Sequence, residues 1–92
     1  MDTWRTLTTW RALVSTELHN RGEGWEDVVA NTMNDEQMDV QFYDGFGVAE
    51  GCPFTIWTEN RVYFPAVYDG SEWCASVPRH PNGIPTRHVG GE

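Results

Sequence analysis

The chain has 92 residues, of which 39% are hydrophobic and 13% aromatic, so it is long enough for one small domain and too short for a second independent one. Fourteen acidic residues against six arginines give a formal net charge of −8, which disfavours direct binding to nucleic-acid phosphates. No apolar run approaches the roughly 20 residues of a membrane span, and we expect a cytoplasmic protein with no membrane partner.

Apolar side chains recur at three- and four-residue spacing near the N-terminus. The series runs from Trp4 through Trp10 and Val14 to Leu18, and it predicts a helix over residues 3–20. A glycine follows immediately, and glycine readily takes the left-handed conformation that ends a helix.

A second helix is predicted over residues 25–33, because Glu26 and Asp27 would occupy its first turn, where the helix dipole favours carboxylates. Asn34 and Gln37 have the spacing of a capping box, which predicts one more helical turn over residues 35–38.

Beyond residue 39 the hydrophobic pattern alternates, which indicates a short strand at 40–42 followed by a glycine-rich loop. Three runs rich in β-branched and aromatic residues then predict a three-stranded meander over residues 54–58, 61–68 and 72–77. Asp69-Gly70, between the last two runs, is typical of a two-residue hairpin turn. Pro65 would interrupt a ladder, so we expect either a bulge there or a bend near Phe64.

These elements define an α+β class, with two N-terminal helices packed on a three- to four-stranded antiparallel meander. The single domain is expected over residues 1–78 and an extended tail over 79–92. If Trp57, Tyr63, Val67 and Trp73 all lie on the side away from the helices, they form an aromatic face open to another protein. A shift of register or a bulge would instead turn some of them inward.

Negative charge is concentrated in one segment of the chain. Between Gly22 and Asn60 there are nine carboxylates and neither lysine nor arginine. Such a segment creates a field that attracts a basic partner, or it is a solvated acidic face without one. Tryptophan is enriched at interface hot spots, and one lies within this segment. The expected partner-binding residues are Glu23, Trp25, Glu26, Asp27, Asp35, Glu36, Asp39 and Asp44.

The sequence offers no recognisable catalytic site, metal site or cofactor motif, and we expect a non-enzymatic protein. Neighbouring carboxylates on a helix point about 100° apart and do not converge on one substrate atom. Cys52, Cys74, His80 and His88 lack the closely spaced pairs of a structural zinc site. Both cysteines are expected to be free thiols.

The sheet region resembles a recurrent block in small accessory proteins of bacterial phages and prophages, a group that includes anti-CRISPR proteins. The resemblance covers roughly residues 25–81, and its motifs are structural: turn, strand and aromatic core. It is carried by residues 54–58 (FTIWT), 61–65 (RVYFP), 68–73 (YDGSEW) and 77–81 (VPRHP). It implies a phage context and a non-enzymatic inhibitor that covers a surface of a host complex.

Resemblance and charge together lead to one expected function. The protein would be a phage-encoded, anti-CRISPR-like inhibitor that evades host defence in the host-cell cytoplasm. Its acidic face would mimic nucleic acid and bind the basic, nucleic-acid-binding surface of a CRISPR effector. The protein itself would not contact nucleic acid directly. The alternative is a small structural or regulatory phage module that homodimerises through an exposed aromatic sheet face.

Overall fold

The α+β class is confirmed in a computed structural model, which describes residues 7–43, 51–68 and 71–90. Residues 79–90, the described part of the predicted tail, contain neither helix nor strand. In chain order the elements are β1 (Leu7–Thr8), α1 (Trp10–Asn20), a 3-10 turn (Trp25–Asp27), β2 (Val28–Asn31), α2 (Asp35–Met38), β3 (Phe42–Tyr43), β4 (Ile56–Thr58), β5 (Arg61–Tyr68) and β6 (Ser71–Pro78).

The helix predicted over residues 3–20 ends as expected but begins later, at Trp10. Thr9 sets this start, because its backbone is extended and its side chain accepts a hydrogen bond from the backbone N–H of Ala12 at 3.2 Å. Leu7 and Thr8 pair with β3 instead of continuing the helix. Residues 1–6, including Trp4, lie outside the described part of the chain.

The prediction of a second helix over residues 25–33 is wrong. Only one 3-10 turn forms, closed by the carboxylate of Asp27, which accepts a hydrogen bond from the backbone N–H of Gly24 at 2.9 Å. Val28 and Val29 then enter a strand, since β-branched side chains favour the pleated surface and β4 supplies a pairing edge. The predicted turn at 35–38 is confirmed as α2, with the capping box of Asn34 and Gln37 formed in both directions.

The main sheet has four antiparallel strands in the order β2-β4-β5-β6, and β1 pairs with β3 in a separate two-stranded sheet. The predicted meander is therefore confirmed for β4, β5 and β6, with β2 added at the edge. Tyr68 lies opposite Ser71, while Asp69-Gly70 between them lies outside the described residues. Pro65 lies opposite Cys74 in an unshifted register, so the expected bulge is absent from this strand pair. The pairing of β4 with β5 ends at Tyr63, and edge positions such as that of Pro65 tolerate proline.

The hydrophobic core lies between α1 and one face of the main sheet, the inner face. Trp10, Val14 and Leu18 of α1 pack there, with each side chain at most 1% exposed. The ring of Trp10 lies 4.7 Å from that of Phe54, between centroids. Tyr63 is fully buried on this face, so the register turns it inward, which is the second of the two arrangements that the sequence left open.

Candidate interaction surface on the sheet

The face of the main sheet turned away from α1, the outer face, is mostly apolar across β4, β5 and β6. The register between strands determines which residues lie on this face, because residues directly opposite each other in neighbouring strands project to the same side. Trp57 lies opposite Val62, and Val62 opposite Val77. The remaining pairs are Phe64 with Ala75, Ala66 with Trp73 and, at the end of the hairpin, Tyr68 with Ser71. The outer face of these three strands therefore consists of Trp57, Val62, Phe64, Ala66, Tyr68, Ser71, Trp73, Ala75 and Val77.

Small side chains form the floor of this face and large ones surround them. Ala66 and Ala75 are only 8% and 6% exposed, whereas Phe64 and Trp73 are half-buried. None of the outer-face residues belongs to the hydrophobic cluster under α1. The sheet thus has two apolar sides, and α1 covers only the inner one.

The polar groups that this face carries on β4, β5 and β6 are the hydroxyls of Tyr68 and Ser71, both at one end of it. With strands about 4.8 Å apart and a rise of about 3.3 Å per residue, it spans on the order of 300 Å². This is the size of the largest apolar patch on a typical soluble monomer, and such a patch is often functional. What this arrangement offers chemically is burial against another apolar surface.

The structure divides the predicted acidic segment into parts with different surroundings. Glu23 is half-buried and accepts hydrogen bonds from the hydroxyls of Tyr63 and Thr58, the latter at 3.0 Å. Burial raises the pKa of Tyr63 above its ordinary value, and the hydrogen bond to Glu23 adds to the rise. Glu23 therefore supports the inner face of the sheet rather than a charged surface.

Trp25 is half-buried against the core cluster instead of standing on the surface. Its indole N–H donates a hydrogen bond to the hydroxyl of Ser15 at 2.9 Å, which ties the 3-10 turn to α1. Because both its ring and its polar atom already have partners within the chain, Trp25 is a packing residue first.

Two of the predicted acidic residues are paired with a cation from outside the segment. Arg11 of α1 contacts Asp39 at 2.6 Å and Asp35 at 3.4 Å. The hydrogen bond from Arg11 is the main reason why the pKa of Asp39 lies below its ordinary value. The charge at α2 is therefore partly compensated, which the sequence segment alone does not indicate.

The acidic side chains that remain exposed lie in two groups separated by β2. Glu26 and Asp27 precede this strand, whereas Asp35 and Glu36 follow it in α2. Asp44 lies outside the described residues. These exposed carboxylates therefore belong to two elements, the 3-10 turn and α2.

Both cysteines are free thiols, with Cys74 buried and Cys52 half-buried. Burial is the main cause that raises the pKa of the Cys74 thiol to about 12. Among residues 7–43, 51–68 and 71–90, no three acidic, histidine or cysteine side chains cluster as metal ligands would.

No helix within the described ranges is both long and apolar enough to cross a membrane. The chain matches no protein-family model, no curated protein and no solved structure. The functional argument therefore depends on the geometry of this molecule.

The sequence contains part of the signal for the outer face. Alternation alone places Val62, Phe64 and Ala66 on one side of the second meander strand. It does not indicate that Trp57 and Trp73 join them, because that depends on the register between strands.

Proposed function

We propose that the protein is a small, non-enzymatic interaction module that forms a homodimer by joining the outer faces of two copies. The observation that carries this proposal is the second apolar side of the sheet, which lies outside the hydrophobic cluster under α1. Apart from the exposed Tyr68, the aromatic and aliphatic side chains at its border are half-buried in the monomer, and the part still in contact with water gains about 25 cal/mol per Å² when it is covered.

The absence of charged side chains from the outer face of β4, β5 and β6 fits a second copy as the occupant. A basic partner would find no carboxylate there to bind, whereas another copy offers an equally apolar surface. The net charge of −8 on each copy weakens their association, but the charged groups lie away from the centre of the interface. The face of an antiparallel sheet is also compatible with the twofold axis of a symmetric dimer.

The size of the outer face determines how strongly we expect two copies to associate. Stable complexes bury about 800 Å² on each partner, and the outer face alone supplies less than half of that. The dimer is therefore a weak one, with concentration-dependent assembly. Side chains at the border, such as the 52% exposed Tyr68, extend the contact.

Sedimentation velocity over a concentration series tests the proposal with a matched pair of substitutions. Val77→Asp places a carboxylate on the outer face, whereas Val40→Asp places one at an exposed position between α2 and β3. We expect Val77→Asp to abolish self-association and Val40→Asp to leave it unchanged. A monomer at all concentrations in the parent protein, or equal behaviour of both variants, would contradict the proposal. Circular dichroism of both variants establishes that they are folded.

A second candidate function is that of an anti-CRISPR-like inhibitor whose acidic groups bind a basic, nucleic-acid-binding surface of a CRISPR effector. The specific observation in its favour is the exposure of the α2 carboxylates, with the Asp35 side chain 91% exposed. The resemblance of the sheet segments to phage accessory proteins supports the same context. Acidic groups placed in this way would mainly accelerate association.

Charge reversal separates this candidate from simple dimerisation. Lysine substitutions at Glu26 and Asp27 in one variant, and at Asp35 and Glu36 in another, test the two acidic groups individually. Pull-down of a purified effector at low and high salt should lose its salt-sensitive binding with at least one variant, while self-association persists. Retention of binding by both variants would exclude the acidic groups as the contact surface.

A further inference from the structure

Positive charge gathers at the end of the molecule where α1 and β6 both terminate. A cleft of about 330 Å³ lies between the end of α1, the inner-face margin of the sheet and the tail. Three guanidinium groups line it, from Arg21, Arg61 and Arg87. These are three of the six cations in the whole chain.

The guanidinium groups are only partly used by the protein itself. Arg21 donates from Nε to Glu17 at 2.8 Å, and Arg61 donates from Nε to the Ser76 hydroxyl at 2.9 Å. Arg61 also donates to the backbone carbonyl of Ser76, at 3.2 Å. Within the described ranges, Arg87 has no hydrogen-bonding or ion-pair partner. Several N–H donors of the three side chains therefore remain available to a ligand.

The walls of this cleft contain no carboxylate. Carboxylates lie beside it rather than in its walls. Glu17 Oε2 accepts hydrogen bonds from Arg21 and from Ser76, the latter at 2.7 Å, and Glu23 and Asp27 line a neighbouring cleft together with Arg21 and Arg61. Three like charges around one concave site repel each other, and a bound anion removes that repulsion. The arrangement is unexpected in a chain that is acidic overall.

The tail that forms one wall is fixed to the sheet at its beginning. The backbone N–H of Arg79 donates to the carbonyl of Asn60 at 2.8 Å, and its guanidinium donates to the carbonyl of Thr58 at 2.9 Å. Further along, Ile84 and Val89 add apolar surface to the cleft beside the guanidinium groups. The cleft thus combines a cationic side with an apolar one.

We infer that this cleft binds a small organic phosphate, with the phosphoryl group on the guanidinium groups and the organic part against Ile84 and Val89. Guanidinium forks match phosphate oxygens in geometry, and a doubly charged phosphoryl group balances three cations better than a single carboxylate does. The volume lies within the range of small-molecule sites. The inference does not depend on the dimer, because the cleft lies on the inner-face side of the sheet.

Titration calorimetry with phenyl phosphate tests this inference, with inorganic phosphate and benzoate as comparison probes. Arg87→Gln is the informative variant, since it removes one cation that has no structural partner among the described residues. Arg11→Gln is the matched control, because it changes the net charge equally but lies beside Asp39.

We expect phenyl phosphate to bind more tightly than either comparison probe. Arg87→Gln should weaken its binding about tenfold or more, and Arg11→Gln less than twofold. Absence of binding, preference for benzoate, or equal weakening by both variants would overturn the inference. Sedimentation of the same samples keeps this result separate from the state of the dimer.

Discussion

Tyr63 donates its hydroxyl hydrogen to the carboxylate of Glu23, 40 residues earlier in the chain. The ring of Tyr63 is fully buried under α1, and Glu23 lies in the turn that follows that helix. This bond joins the central strand β5 to the exit of α1. Thr58 shares the same carboxylate oxygen, so Glu23 keeps one partner when the tyrosine hydroxyl is removed.

Tyr63→Phe should lower the free energy of unfolding by about 1.5 kcal/mol, because it removes a hydrogen bond to a charged group without changing the ring volume. Tyr68→Phe is the control, since Tyr68 is 52% exposed and should change stability by less than about 0.5 kcal/mol. Urea unfolding of the two variants gives the comparison. Equal effects would show that the buried bond contributes nothing specific.

Cys74 makes stability sensitive to alkaline pH. The pKa of its thiol is raised from 9.0 to about 12 in the folded protein. The stabilisation that the buried neutral thiol gives the fold is therefore intact below pH 9 and declines as pH rises toward 12. One such group reduces the free energy of unfolding by about 1.4 kcal/mol per pH unit in this range. Tyr63, whose pKa is also raised, acts in the same direction above about pH 10.

Cys74→Ala should flatten the pH dependence of the free energy of unfolding between pH 9 and 10. It also lowers stability at neutral pH, because it shortens a buried side chain. Urea unfolding at several pH values measures the slope. An unchanged slope in this variant would refute the role of the thiol.

Arg11→Gln should raise the pKa of Asp39 toward its ordinary value, because the hydrogen bond from Arg11 is the largest cause of its depression. The sign follows from linkage: a lowered pKa stabilises the fold above about pH 4, and this contribution is lost as the carboxylate is protonated in acid. Carbon-detected NMR titration of the Asp39 carboxyl measures the shift. Arg21→Gln, which removes a cation paired with Glu17, should leave the pKa of Asp39 unchanged.

Local signals in the sequence predicted those parts of the fold that local chemistry determines. The capping box of Asn34 and Gln37 formed α2, and alternation with turn residues identified the three meander strands. The prediction of a second helix was wrong, because it depended on the preference of carboxylates for the first turn of a helix. The pairing of Val28 with Thr58 in the sheet is a long-range interaction that outweighs this local preference.

The candidate sites depended still more on tertiary contacts. The acidic segment was visible as a run of charge, but Arg11 approaches Asp39 only through the packing of α1 beside α2. The position of Tyr63 depended on which face of β5 meets α1. The cleft beside Arg87 is formed by return of the tail toward Arg21 and Arg61, and no local spacing indicates it.

The joining of two copies through their outer faces is tested most directly by an isotope-filtered NMR experiment. On a mixture of labelled and unlabelled chains, this experiment detects contacts between copies only. We expect intermolecular contacts from the methyl groups of Val62 and Val77 to aromatic protons of Phe64 and Trp73. Intermolecular contacts confined to α2 or the tail, or none at concentrations at which sedimentation detects a dimer, would contradict it.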